Sequence, residues 1–183
     1  MAVLLKRLEV EGFRYFSWRV SLDFDQGLTV IAGPVGTGKS SLLAAISYAL
    51  YGLEPGLRRR LYQKSELINA KRSSARVTLE LASENGLYRF SRELSREKGE
   101  VSVATLPDGR VIRGSRAVQQ LAEGLLGLDF EEFSRSVSLS FASLLLLAYG
   151  THEMRSRVLD RLLGLDSITA LARSISLLSL IHI

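Results

Sequence analysis

The sequence predicts an α/β fold, and three successive patterns along the chain support this prediction. An apolar, β-branched run at residues 28–32 leads through a glycine-rich segment into helical spacing of apolar residues over 42–50. Two pairs of alternating segments joined by Asn-Gly or Asp-Gly turns follow, and such pairs are typical of antiparallel hairpins. Helical spacing then dominates the second half of the chain. We therefore expect a mixed sheet with an antiparallel patch, followed by C-terminal helices.

The N-terminal residues predict two strands before the glycine-rich segment. Residues 4–10 alternate as a strand, Glu11-Gly12 breaks the pattern, and residues 18–24 alternate again with their apolar side chains on one face. A turn at 25–27 then directs the chain into residues 28–32, which we expect to form a short buried strand.

The glycine-rich segment Gly33-Pro-Val-Gly-Thr-Gly-Lys-Ser40 fits the pattern G-x-x-x-x-G-K-[ST]. Its glycines let the backbone turn so that successive N–H groups point inward toward phosphate oxygens, beside the positive end of the following helix. In this pattern Lys39 reaches the β- and γ-phosphates of a nucleotide, and the hydroxyl of Ser40 is a ligand for Mg²⁺. A chance glycine-rich turn is the alternative. The flanking strand and helix favour a phosphate-binding loop.

A basic segment follows the first predicted helix. From Arg58 to Arg76 there are seven basic residues and one acidic residue, so this segment alone exceeds the +5 formal net charge of the chain. Such a surface suits a nucleic-acid backbone, but a run of charges can equally be a solvated face. Both interpretations stay open from the charge alone.

The remaining elements are two hairpins and three helices. The first hairpin joins 76–81 to 87–92, and the second joins 101–105 to 110–112. The helix capped by Ser115 ends at Gly127, a short helical turn follows Asp129, and the last helix runs from Thr151 to Gly164.

Length and composition indicate an ordinary globular protein. The chain has 183 residues, of which 46% are hydrophobic, and this suits one domain with a core. The absence of cysteine excludes a disulfide framework and a thiolate metal site. The N-terminus does not have the form of a secretory signal, and no uncharged run reaches membrane-spanning length. We therefore expect a cytoplasmic protein with no membrane partner.

Several segments together resemble a known family. Glu11-Gly-Phe-Arg-Tyr-Phe16, the phosphate-binding loop and Ser41-Leu-Leu-Ala-Ala-Ile-Ser-Tyr-Ala-Leu-Tyr-Gly52 look like the N-terminal ATPase lobe of the SMC-like DNA double-strand-break-repair ATPases. By this resemblance, the nearest relatives are the bacterial SbcC family and its archaeal and eukaryotic counterparts. The likeness continues through Phe133-Ser-Arg-Ser-Val137 and Leu159-Asp-Arg-Leu-Leu-Gly-Leu-Asp166.

The resemblance implies a fold and a domain organisation. It implies a P-loop NTPase of the ABC type, with residues 1–166 as the N-terminal lobe of an ATPase head and residues 167–177 as the start of a coiled coil. We interpret residues 178–183 as a non-native tail, because codons that can encode them match the end of a transposon adapter used in sequencing libraries. An ordinary apolar helix end is the alternative.

The resemblance also implies a site for ATP and Mg²⁺. Arg14 is expected to approach the nucleotide from the turn after the first strand, while the loop 58–64 lies near the nucleotide or DNA. The residues expected to bind the cofactor are Arg14, Gly33, Val35, Gly36, Thr37, Gly38, Lys39, Ser40 and Ser41, with Ser40 as the metal ligand.

The family pattern implies four partners. In this family two heads sandwich ATP, each head lends a signature motif to the other, and a nuclease sits at the heads. We therefore expect this chain to bind its own C-terminal lobe, a second copy in an ATP-sandwiched homodimer, a nuclease subunit and double-stranded DNA.

Two positions depart from the family pattern. Val35 stands where the family usually has Asn, which removes a polar contact near the γ-phosphate. The loop expected at 137–143 should contain a Gln that binds Mg²⁺, but Phe141 or Ala142 occupies its place. Either change favours a slow or inactive ATPase. The alternative is lineage drift in which a neighbouring serine partly substitutes for the missing group.

No residue of this chain is assigned a catalytic role. An acidic metal-and-base motif is absent, and Asp129, which follows a similar apolar run, is interpreted as a helix cap. Neither His152 nor His182 stands among carboxylates in the sequence, and the family's signature motif is also absent. In the family these parts come from a C-terminal lobe, so we expect this chain to be half of a catalytic head and inactive alone.

The predicted function is the ATP-binding half of an SMC-like ATPase head in DNA double-strand break repair and DNA end processing. Two alternatives stay open. One is a nucleotide-binding module with little or no hydrolysis, which the departures at Val35 and Phe141 support. The other is the ATP-binding subunit of a transporter, which shares the phosphate-binding loop. The Phe-Arg-Tyr-Phe element at 13–16 favours the SMC-like head over the transporter.

Overall fold

A computed structural model describes residues 2–138, 141–163 and 165 of this chain, with the backbone alone described at 141–143 and 161. The chain divides into two compact units, Met1–Gly127 and Leu128–Ile183. The expected coiled-coil start at 167–177 and the expected tail at 178–183 lie outside the described residues.

The described residues combine strands and helices, as the predicted α/β class requires. The strands are β1 (Leu4–Glu11), β2 (Val20–Asp23), β3 (Ser74–Ser83), β4 (Gly86–Ser95), β5 (Gly99–Thr105) and β6 (Val111–Arg113). The α-helices are α1 (Lys39–Tyr51), α2 (Pro55–Arg58), α3 (Ser115–Leu126), α4 (Phe130–Ser136), α5 (Phe141–Tyr149) and α6 (His152–Leu162). A 3-10 helix lies at Lys64–Leu67.

The six strands form one sheet in the order β2-β1-β3-β4-β5-β6. Every pairing between these strands is antiparallel, so the described residues contain no parallel pairing of the kind that a mixed sheet requires. Both predicted hairpins are confirmed, and the first is longer than expected because its pairing reaches from Ser74 opposite Ser95 to Ser83 opposite Gly86. The sheet is therefore a meander with β1 inserted between β2 and β3.

The core of the first unit lies between the sheet and two helices. Helices α1 and α3 pack on the same face, where Val77, Leu79 and Phe90 are fully buried. Arg76 and Glu80 alternate with these residues along β3 and point to the opposite face. Burial of each such apolar side chain contributes about 1.5–3 kcal/mol to folding. This packing fixes α1, and with it the loop that enters α1.

The expected buried strand at residues 28–32 is not observed. The segment forms no strand and is exposed throughout, with 91% of Leu28 and 76% of Val30 accessible to solvent. A strand requires a neighbouring strand to pair with its N–H and C=O groups. None of the six described strands pairs with this segment. The apolar, β-branched composition was therefore insufficient to predict its burial.

The second unit is helical in its described part. Asp129 begins α4 with a reciprocal capping box, in which the N–H of Glu132 donates to Asp129 Oδ1 at 2.8 Å. Its predicted role as a helix cap is confirmed. Helix α5 departs from the loop that the sequence predicts at 137–143. Thr151 precedes α6, and its hydroxyl accepts a hydrogen bond from the N–H of Met154 at 3.4 Å.

None of the helices in the described part of the chain is both long enough and apolar enough to cross a bilayer.

Candidate nucleotide-binding site

The phosphate-binding loop runs directly into α1. Gly36 and Gly38 have φ values of +86° and +91°, a region that favours glycine, and α1 begins at the next residue, Lys39. The N–H of Ser41 closes the entry by donating to the carbonyl of Gly38 at 2.9 Å. The loop and the helix therefore meet in the geometry that the sequence predicts.

The loop presents unpaired backbone donors. Within the described residues, the N–H groups of Gly36, Thr37 and Gly38 have no hydrogen-bond acceptor. No side chain caps the N-terminus of α1, and no acidic residue lies in its first turn. The partial positive charge at this end of the helix is therefore not compensated. Donors and charge of this kind attract anions, phosphate above all.

Lys39 lies across the mouth of the loop. Its Nζ donates to the carbonyl oxygens of Gly33 at 2.6 Å and Pro34 at 2.5 Å. The hydroxyl of Thr37 donates to the same Pro34 oxygen at 2.9 Å, which tightens the turn. The ammonium group is thus held on the loop that the unpaired N–H groups belong to.

The remaining loop residues differ in exposure. Val35 is fully exposed at the tip of the loop, so no apolar packing of its side chain explains why valine occupies this position. Ser40 is exposed next to Lys39, whereas Ser41 is 8% exposed and turns into the core side of α1. Of these two serines, Ser40 has the hydroxyl that is accessible to a metal ion bound at the loop.

Arg14 lies in a strained turn beside the loop. Its φ is +49°, which is unusual for a residue other than glycine, and its N–H donates to the carbonyl of Leu67 at 2.7 Å. The guanidinium lies 3.4 Å from Glu54 Oε2 and 5.7 Å from the centre of the Tyr62 ring. The side chain is therefore paired with Glu54, which lies before the basic segment, and its contact with a nucleotide stays a prediction.

Glu54 is a residue of this region that the sequence analysis did not identify, and it accepts hydrogen bonds beside Arg14. It is 3% exposed, and Oε1 accepts hydrogen bonds from the N–H of Leu57 at 2.7 Å and from the hydroxyl of Tyr62. Burial and then Glu54 raise the pKa of Tyr62 above its usual value. A Cβ on Gly56 would lie 2.4 Å from Tyr62 Oη, so a side chain there would displace the tyrosine ring from Glu54. The sequence Glu-Pro-Gly, with an acidic N-cap before proline, was the available signal.

The basic segment does not form one continuous free surface. Lys64 pairs with Glu100, and Nη2 of Arg76 lies 2.7 Å from Glu93 Oε2. Arg72 donates from Nε to the carbonyl of Ser17 at 2.5 Å. Three exposed residues of the segment have no ion-pair partner within the described ranges: Arg59, Arg60 and Lys71. Within the described ranges, the exposed charge of the segment that has no ion-pair partner therefore lies at Arg59 and Arg60 and at Lys71.

The turn at residues 13–16 contacts the loop through its aromatic residues, while its arginine contacts Glu54. Tyr15 and Phe16 contact the loop at Gly38, while the neighbouring Arg14 points to Glu54. The side chain of Phe141 lies outside the described residues, as does that of Ala142, so the effect of the missing Gln stays a prediction. His152 is exposed in the first turn of α6.

Three comparisons relate this geometry to known proteins. A family model described as an AAA domain matches residues 7–167. Arcadin-4 of Pyrobaculum calidifontis is 31% identical over 172 residues, which is 94% of this chain and 21% of that protein. The SbcC component of the nuclease SbcCD of Deinococcus radiodurans is 33% identical over 169 residues, which is 88% of this chain and 18% of that protein.

A solved structure supports the fold. The recombination mediator protein RecF with ATP superposes with a TM-score of 0.53 at 23% identity, covering 62% of this chain and 29% of that one. The chain spans about a fifth of the length of the two relatives above. The family match covers most of the chain, including the phosphate-binding loop and both hairpins. The chain therefore belongs to the AAA domain family and is a homologue of the SbcC-type and other SMC-like ATPases.

Proposed function

We propose that this chain is the ATP-binding N-terminal lobe of an SMC-like ATPase head that acts in DNA double-strand break repair. The observation that carries the proposal is the loop at the start of α1, which has three unpaired N–H groups and the Lys39 ammonium bound to its carbonyl oxygens. The name of the SbcC relative, as part of a nuclease, supports a nuclease partner.

The residues of the loop fit Mg²⁺-ATP. The unpaired N–H groups of Gly36, Thr37 and Gly38 bind phosphate oxygens, and the uncompensated end of α1 favours their negative charge. Lys39 exchanges its bonds to the Gly33 and Pro34 carbonyls for the β- and γ-phosphates. Ser40 has the exposed hydroxyl that would hold Mg²⁺, which when bound offsets the charge of these phosphates.

Binding by this loop is separate from the activation of water. Within the described residues no cluster of three or more His, Cys, Asp or Glu side chains is placed to hold a metal ion. Phosphoryl transfer depends on a positioned water and on groups that stabilise the transition state, beyond simple binding. We therefore expect hydrolysis only when a C-terminal lobe and a second head complete the site.

The exposure of segment 28–32 supports the proposal that a C-terminal lobe packs against this part of the first unit. Leu28 and Ile31 line a cavity of about 430 Å³ between β1 and α1, together with Leu8, Leu42 and Ile46. An exposed apolar segment with unpaired backbone groups beside an apolar cavity is typical of a sheet that another strand completes. We propose that the chain's own C-terminal lobe supplies that strand.

A calorimetric titration tests nucleotide binding. The full-length protein that contains this chain should bind Mg²⁺-ATP, and Lys39→Ala should abolish the binding. Lys98→Ala is the matched control, because Lys98 is an exposed lysine in the β4–β5 turn, on another part of the first unit. Equal affinity of the wild type and Lys39→Ala would refute the assignment.

A second candidate function is a nucleotide-binding module with little turnover. The full exposure of Val35 at the loop tip favours it, because an apolar side chain there supplies no hydrogen bond to the γ-phosphate or to water. Val35→Asn restores a polar group, and one such group is often worth about a hundredfold in rate. Steady-state phosphate release by the full-length protein measures the difference. Equal turnover of the two proteins would contradict this candidate.

A further inference from the structure

Arg92 is a fully buried arginine on β4 that binds the carboxyl end of α1. Its Nε donates to the carbonyl of Ala49 at 2.9 Å, and its Nη2 donates to the carbonyl of Leu50 at 3.0 Å. The last carbonyl groups of a helix accept no hydrogen bond from within the helix, and they form its negative end. A guanidinium therefore satisfies both the hydrogen-bonding and the charge requirements of this end of α1.

The same guanidinium is held from the other side by two further elements. Nη1 donates to Glu100 Oε1 at 2.8 Å and to Ser102 Oγ at 2.8 Å, both on β5. It also donates to Ser115 Oγ at 2.9 Å, at the start of α3. Lys64 binds the other oxygen of Glu100. The position of Arg92 is therefore determined by its own strand and by two other elements of the first unit.

Gly52 shows how closely the arginine approaches the helix. Gly52 ends α1 with φ +67°, and its N–H donates to the carbonyl of Tyr48 at 2.8 Å. A Cβ on this residue would lie 2.8 Å from Arg92 Nη1 and 3.3 Å from Ser115 Oγ. The backbone at this position thus makes room for the guanidinium as well as adopting the left-handed turn.

We propose that Arg92 is a positioning residue for the phosphate-binding loop, because it anchors the carboxyl end of the helix whose amino end carries Lys39 and Ser40. The inference rests on the proposed function and names a further residue for it. Helix α1 has 13 residues and is about 20 Å long, so it acts as a rod. A small tilt at the anchored end displaces the phosphate donors at the other end.

The test compares Arg92→Lys with Arg76→Lys in the full-length protein. Lysine keeps the charge beside Glu100 but cannot bind both carbonyls of α1 together with three side chains. Arg76 is the matched control, because it lies on the neighbouring strand β3, faces the other side of the sheet and pairs with half-buried Glu93. Calorimetry measures the affinity for Mg²⁺-ATP at a temperature where circular dichroism shows each variant folded.

We expect Arg92→Lys to weaken Mg²⁺-ATP binding by about tenfold, equivalent to one lost charged hydrogen bond, and Arg76→Lys to leave it unchanged. Ser115→Ala removes one contact of Arg92 and leaves the others, so it should weaken binding by about threefold. If Arg92→Lys does not fold, the affinity of Ser115→Ala for Mg²⁺-ATP tests the inference in its place. Hydrogen exchange should rise in both halves of α1 in these variants, including the amides of residues 43–46.

A purely structural role gives a different result. Folded Arg92→Lys that binds Mg²⁺-ATP as tightly as the wild type would overturn the inference. So would Ser115→Ala with lower stability and unchanged affinity, or faster exchange confined to residues 49–52. These outcomes leave the proposed function intact, provided that Lys39→Ala still abolishes binding. A wild type that does not bind Mg²⁺-ATP overturns the proposed function, and the inference with it.

Discussion

A Cβ on Gly38 would lie 2.6 Å from Cδ1 of Tyr15, so the tyrosine ring leaves no space for a side chain at the entry of α1. Phe16 approaches the same point, at 2.9 Å through Cζ. The turn that carries both rings is held by Asn69, whose Nδ2 donates to the carbonyl of Arg14 at 2.7 Å. The phosphate-binding loop is thus shaped partly by a turn that lies before β2 in the chain.

Gly38→Ala is predicted to be more harmful than Gly36→Ala. Both glycines have positive φ, which costs an L-residue about 1–2 kcal/mol. Only Gly38 also faces the Tyr15 and Phe16 rings, whereas nothing lies within 4 Å of a Cβ on Gly36. Urea unfolding should therefore show a larger loss of stability for Gly38→Ala. Equal losses would mean that the rings move aside at no cost.

Trp18 is predicted to report nucleotide binding. It is the only tryptophan of the chain, it is 53% exposed, and its ring centre lies 6.1 Å from that of Tyr15, which contacts the loop. Mg²⁺-ATP should change the tryptophan emission of the wild type and leave that of Lys39→Ala unchanged. An unchanged emission under conditions where calorimetry detects binding would contradict the prediction.

The exposed arginines at 58–60 are predicted to contact the phosphate backbone of DNA without reading its sequence. Replacing Arg58, Arg59 and Arg60 by Ala should reduce the slope of log K against log salt by at most about 2.7, since each phosphate contact contributes about 0.9. The measurement is a DNA-binding titration of the ATP-bound full-length protein at several salt concentrations.

The matched control for this prediction removes the same charge elsewhere. Arg7, Arg19 and Arg110 are arginines of the first unit outside the basic segment, and they pair with Asp23, Glu9 and Asp108 respectively. Their replacement by Ala should leave the slope close to that of the wild type. If both triple variants change the slope equally, the effect reflects net charge, and residues 58–60 are simply a solvated face.

Glu100 is predicted to make stability depend on pH in the acid range. Burial opposes its ionisation, but hydrogen bonds from Lys64, Ser102 and Arg92 outweigh this and hold the pKa of Glu100 below its usual value. Its contribution to stability is therefore present above the unfolded-state pKa, about 4.3, and is lost as pH falls through the folded-state pKa.

Glu100→Gln tests this dependence. The variant should lose about 3 kcal/mol of stability at pH 7, because Arg92 would stay buried without its carboxylate. Its stability should also fall less steeply than that of the wild type below about pH 4. Glu97→Gln, at an exposed position in the β4–β5 turn, is the control and should behave as the wild type. Parallel pH profiles of the wild type and Glu100→Gln would disprove the assignment.

The sequence by itself determined the features that short segments encode. The phosphate-binding loop, both hairpins and the cap at Asp129 lie where the sequence predicts them, because glycine conformations, Asn-Gly turns and capping boxes depend on a few neighbouring residues. Homology to the SMC-like ATPases was also recognisable, since it rests on contiguous motifs.

Only the tertiary structure decided which residues meet across the fold. The strand expected at 28–32 stays unpaired, because pairing depends on a neighbour that no described segment supplies. In the sequence, Arg92 is an ordinary polar residue of an alternating strand. In the structure, β5, α1 and α3 enclose its side chain. In the sequence, Lys64 is part of a basic run. In the structure, it pairs with Glu100, which lies 36 residues later in the chain. Burial and pairing of charges arise from contacts between distant segments, so local patterns carry no information about them.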